Sequence, residues 1–119
     1  MRVLVTAVAP GLDSDIEPRF WHAAYLTVVD TDTLQWEAVP TPAMPTIHAA
    51  GTRLALLATH QNIGAAISSD FGPNCYIVLE SAGVPAYLSG KCRTVREAIG
   101  EFKAGKLPTI YAPTSEGSR

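Results

Sequence analysis

A chain of 119 residues suits one domain rather than two. Hydrophobic residues make up 47% of it and charged residues 17%, which supports a buried core and argues against disorder. Nine Lys+Arg against eleven Asp+Glu leave a formal charge of -2, so the chain offers no basic surface for nucleic acid or for an anionic membrane.

The opening Arg2–Val8 is a near-continuous, Val-rich apolar run, the pattern of a strand buried on both faces. The run is too short, and its positive region too small, for a secretory signal. No stretch is long enough to span a bilayer, and the expected location is the cytoplasm. A Gly/Asp/Pro-rich loop follows over 10–18, long for a strand connection and therefore a candidate for function. Residues 24–29 and 34–39 read as two further strands joined by the turn residues Asp30-Thr31-Asp32-Thr33.

Pro40, Pro42 and Pro45 make a stiff linker that neither a helix nor a central strand accommodates. Thr46 is placed to cap a helix running to about Gln61, with Ile47, Ala50, Leu54, Leu57 and Ala58 at helical spacing and Gly64 ending the unit. Residues 65–68 read as a short buried strand. Pro73 suits the first position of a helix that continues to Ala82, with Gly83 after its end. Residues 84–88 read as a last strand, and Pro85 suggests an edge. Thr94-Val95-Arg96-Glu97 is a capping box, and the helix it opens stops at Gly105. The composition from Pro108 onward is that of a frayed tail, so residues 1–107 form the expected domain and 108–119 a flexible extension.

The expected class is α/β: a mixed five-stranded sheet with three helices in the order β-β-β-α-β-α-β-α, similar to the ribonuclease H-like topology. Ligands of such sheets bind beyond the carboxyl ends of the parallel strands, which selects the loops over 9–19, 69–73 and 89–93. Two of these run into helix starts, at Pro73 and Thr94, and the helix beginning near His48 is a third candidate for that rim. Helix starts present free N–H groups and partial positive charge, and Arg19, Lys91 and Arg93 lie beside them. The rim is therefore expected to receive an anion.

Two cysteines do not make a disulfide framework here. Cys75 falls in the first turn of a helix and Cys92 just before another, positions that lower a thiol pKa and favour a metal-binding thiolate. The alternatives are a small core residue for Cys75 and an idle exposed thiol for Cys92. His48 and His22 complete the set of possible metal ligands, each with a plain surface role as its alternative. His60, near a helix end, is explained by the helix dipole. Trp21 and Trp36 read as packing residues. Asp13, Asp15 and Asp70 raise the thought of a metal-dependent nuclease, but the first strand carries no carboxylate to hold catalytic metals, so that reading ranks last.

Four segments resemble the dinitrogenase iron–molybdenum cofactor biosynthesis family. They are Pro18-Arg19-Phe20 with Ala24-Tyr25-Leu26 and Val28-Val29-Asp30; His48-Ala49-Ala50-Gly51; Phe71-Gly72-Pro73-Asn74; and Thr94 to Ile99 with Phe102 and Gly105-Lys106-Leu107. The likeness covers roughly 1–107. It implies a ribonuclease H-like fold and a non-enzymatic carrier or accessory protein for an iron–sulfur or molybdenum-containing cluster, or its precursor. By carry-over, Arg19, His48, Gly51, Gly72, Pro73, Asn74 and Thr94 are its binding positions. Trp21-His22 stands where the family has Gly-Arg, Ala49 replaces a Gly, and Cys75 replaces a small residue. Implied partners are metal-cluster biosynthesis or acceptor proteins, with a homo-oligomer open through an edge strand. The competing class is an interaction module that holds no metal and docks through the surface around Phe20, Trp21 and Phe71.

Overall fold

The computed structural model describes residues 1–19, 22–41 and 47–114, and the side chains of 47–53 lie outside that description. Most of the proline linker, the expected cap Thr46, and the aromatic pair Phe20-Trp21 therefore fall outside the described residues.

The elements are β1 (Arg2–Ala7), β2 (Tyr25–Asp30), β3 (Trp36–Pro40), α1 (Ile47–His60), β4 (Ile63–Ser68), α2 (Pro73–Ser81), β5 (Ala86–Leu88), α3 (Val95–Lys103) and β6 (Thr109–Ile110). They build one mixed sheet in the order β3-β2-β1-β4-β5-β6. The first three strands form an antiparallel meander, while β4 runs parallel to β1 and β5 parallel to β4. Parallel neighbours need a crossover, which α1 and α2 supply.

The Val-rich β1 is central because both of its faces are buried. Leu4 joins one core layer with Leu26, Val28, Ala66, Leu54, Phe71, Cys75 and Leu79, the side covered by α1 and α2. Val3, Val5 and Ala7 join the other, with Val29, Ile67, Val95 and Ile99 under α3. Leu12 and Ile16 of the long loop also belong to this second layer, so that loop acts as a lid on the sheet face. Packing two layers on one strand removes apolar surface from water on both sides, which a run of alternating polarity cannot do.

The expected order of strands and helices is found with local revisions, and the segment after Pro108, expected to fray, begins with a strand. The sheet has six strands rather than five: Thr109 and Ile110 pair antiparallel with β5. Consequently β5 is internal, and the edge suggested by Pro85 does not exist on that side; Pro85 precedes the strand, which begins at Ala86. Gly64 lies inside β4, and the chain reverses at Asn62, whose φ is 53°. Asn tolerates that left-handed conformation better than other residues with a side chain. Gly83, φ 75°, ends α2 as expected. Between β2 and β3, the Asp30 carboxylate accepts the N–H groups of Asp32 at 2.8 Å and Thr33 at 3.2 Å, and these bonds hold its carboxyl below the usual range.

Candidate anion-binding rim

β1, β4 and β5 point the same way, so the loops after Ala7, Ser68 and Leu88 share one end of the sheet. Backbone pairing draws them together. An isolated bridge joins Arg19 to Asp70, and a second joins Asp15 to Thr94. The long loop is fixed at both neighbours: Glu17 N donates to Thr6 O at 3.1 Å, and Ile16 N donates to Arg93 O at 2.8 Å. Sequence-distant turns thus meet at the carboxyl rim, as the topology requires.

The two described helix starts at this rim differ in what remains available. At α3, the amides of the first four helical residues are taken. Val95 N donates to Ser14 O at 3.0 Å and Arg96 N to Leu12 O at 2.7 Å. Glu97 N donates to the Thr94 hydroxyl at 3.2 Å, and Ala98 N to Thr94 O at 3.0 Å. The Glu97 carboxylate turns back to accept Arg93 N at 2.7 Å, one residue outside the usual capping-box position. Arg96 pairs with Asp13 at 2.9 Å, which holds the Asp13 carboxyl below its ordinary range. The lid loop has therefore filled the first two amides of α3 with its own carbonyls.

At α2 the cap residue is Gly72, in extended conformation, with no side chain bonding to the helix. Pro73 has no N–H to satisfy. Among the described residues, no acceptor reaches the amides of Asn74 or Cys75. Arg19, exposed, is backbone-paired to Asp70 in the loop that leads into α2, and no carboxylate among the described residues pairs with its guanidinium. The Asn74 amide, on a partly exposed residue, is thus open at this start, whereas the Cys75 amide belongs to a residue with no exposed surface.

The thiols do not behave as their places in the chain suggested. Cys75 has no exposed surface and packs in the α1/α2 core layer, and burial pushes its thiol far up. It is the small core residue of the two alternatives. Cys92 is half-buried on the other side of the sheet, packed against the α3 layer. Its thiol is also raised, by desolvation and then by Glu101 and Glu97. Thiolate-favouring positions are overridden by an apolar core in one case and by burial and neighbouring carboxylates in the other. His22 is exposed and donates its backbone N–H to Arg19 O at 3.1 Å. The backbone of His48 and Gly51 is in α1, and their side chains lie outside the described residues. Cys75, Cys92 and His22 are not gathered, and among the described residues no three His, Cys, Asp or Glu side chains converge as a metal site. Sequence reasoning missed the closure of the α3 start, which depends on contacts some 80 residues apart, such as that between Arg96 and Asp13.

Residues 1–105 match the family described as dinitrogenase iron-molybdenum cofactor. The chain belongs to this family. Among solved structures it is similar to the apo form of the orange protein from Desulfovibrio gigas, with 33% identity, 96% of each chain covered and a TM-score of 0.85. A candidate NifB protein from Thermotoga is 30% identical over 98% of each chain, with a TM-score of 0.78. A candidate dinitrogenase from Methanocaldococcus jannaschii, 16% identical over 95% of this chain and 97% of its own, shares the fold with a TM-score of 0.67. Among curated proteins none matches the chain significantly.

Proposed function

We propose that this protein is a non-enzymatic carrier or accessory factor that binds an anionic iron–sulfur or molybdenum–sulfur cluster, or its precursor, at the α2 start. The observation that carries the reading is the amide of Asn74, which no acceptor among the described residues reaches, in a helix start whose preceding loop is bridged at Asp70 by Arg19, a cation with no carboxylate partner among the described residues. Metal–sulfur clusters are anionic, and their sulfur atoms accept N–H hydrogen bonds. Gly72 and Pro73 shape the turn, Asn74 and Arg19 donate, and His48 and Gly51 enter through the family resemblance. Thr94 contributes by capping α3. Cys75 and Cys92 are not needed as ligands on this reading. Membership of a cofactor family supports it, as does the likeness to a protein whose solved form is called apo. The strand order 3-2-1-4-5 with β2 antiparallel supports the ribonuclease H-like description. The implied partners are cluster-assembly or acceptor proteins of the cytoplasm. Nuclease chemistry is disfavoured, because Asp13 is committed to Arg96 and Asp70 accepts the Thr114 hydroxyl at 2.7 Å.

The test is anaerobic incubation with tetrathiomolybdate or with iron and sulfide, followed by gel filtration. A visible chromophore should co-elute with the protein, weaken in Arg19→Ala, and persist in Cys75→Ala and Cys92→Ala. Absence of any chromophore from the parent protein would overturn the reading, and loss of it in Cys92→Ala alone would overturn the ligand assignment.

A further inference from the structure

At the floor of the rim, two hydroxyls occupy fully buried positions that an aliphatic residue would ordinarily fill. Thr6, next to last in β1, and Ser68, last in β4, have no exposed surface. The parallel register pairs Val5 with Ile67, which sets these two residues side by side at the carboxyl ends of their strands. Their oxygens are 3.0 Å apart. The Thr6 hydroxyl lies 2.7 Å from Glu17 O, and the Ser68 hydroxyl donates to Pro18 O at 3.2 Å. Two hydroxyl protons thus meet two consecutive carbonyls of the long loop, directly before Arg19. Glu17 N, donating to Thr6 O, closes the arrangement from the other side.

Resting on the cluster-binding reading above, we propose that Thr6 and Ser68 are positioning residues: they latch Glu17-Pro18 to the sheet and so hold Arg19 at its bridge to Asp70, in the loop that leads into α2. Neither side chain reaches a ligand itself. The latch removes freedom from the loop before binding, so that less ordering remains to be done when the anion arrives. Without it, Arg19 keeps its charge and loses its address.

The experiment compares the parent, Thr6→Val/Ser68→Ala, Arg19→Ala and all three changes together, reading tetrathiomolybdate affinity and the rate of trypsin cleavage after Arg19. The Thr6→Val/Ser68→Ala protein should bind about tenfold more weakly, the effect of losing one or two hydrogen bonds' worth of fixation. It should be cut faster after Arg19, and its latch changes should cost nothing further once Arg19 is already alanine. Thr6→Ser, which keeps the hydroxyl, should match the parent in both measurements and serves if the double variant does not fold. Equal affinity, an equal loss in the Arg19→Ala background, or unchanged cleavage would overturn the latch. If the parent takes up no tetrathiomolybdate, the cluster reading fails, while the cleavage rates still decide whether the latch exists.

Discussion

Cys75 and Cys92 occupy a first helical turn and a pre-helical loop, where partial positive charge ordinarily favours thiolate, yet both thiols are pushed up. For Cys75 the cause is the loss of water within a layer formed by Phe71, Leu79 and Leu54. Modification by a thiol reagent under native conditions is expected to reach Cys92 slowly and Cys75 only after denaturation. Two equally fast thiols would contradict the placement of Cys75. The sign of the pH effect follows from the same shifts. A thiol whose folded value is raised contributes stability in full below the ordinary thiol value of about 8.5 to 9, and that stability is lost as pH rises beyond it. The urea midpoint should therefore fall between pH 8 and pH 10, roughly spanning that value, and fall less steeply in Cys75→Ala.

Helices α2 and α3 begin at the same rim, and the amide inventory separates their roles. The α3 start is consumed by Leu12, Ser14 and Thr94, so Thr94 is a structural cap. Thr94→Ala should lower stability by about 1 kcal/mol, the usual value of an N-cap side chain, with cluster uptake retained. Thermal melts and an uptake titration on one preparation check both halves, and loss of uptake at unchanged stability would restore Thr94 to the site. The α2 start keeps its donors because its cap is Gly72, which has no side chain to offer, and because Pro73 needs no partner. A serine at the cap would have closed one amide; glycine leaves it without a side-chain partner.

The chain's last described residues extend the sheet by one short strand and tie it to the α2 loop. Thr109-Ile110 covers β5, and Thr114 accepts Phe71 N at 2.8 Å while its own N donates to Phe71 O at 2.8 Å. The segment after Leu107 therefore clasps the loop that leads into α2. A chain ending at Pro108 would uncover the edge of β5, and exposed edges invite pairing with other chains. Such a truncation is expected to lower the melting temperature and increase aggregation on heating, measured by calorimetry and light scattering. An unchanged melt would show that these contacts contribute nothing net. Ligand binding should act in the opposite direction: at a hundredfold excess over Kd, it adds about 2.7 kcal/mol.

Much of this architecture is legible in one dimension because its signals are local. The Val-rich β1, the turn at Asp30, Pro73, Gly83 and the Thr94-to-Glu97 cap each state a backbone preference that neighbours along the chain suffice to express. Alternation and spacing then dictate two buried faces, and the crossovers put three loops at one end. What remained open was decided by contacts between distant segments. Residues 109–110 are too few to show a strand pattern and become a strand only because β5 offers its free edge. The α3 amides are closed only because the loop over 11–15 folds back on them, and Cys75 is inert only because other elements surround it. Availability of a donor, and the charge state of a thiol, are properties of surroundings in space. The sequence by itself could therefore name the elements and the family, while the packed structure alone determined which helix amides are already taken.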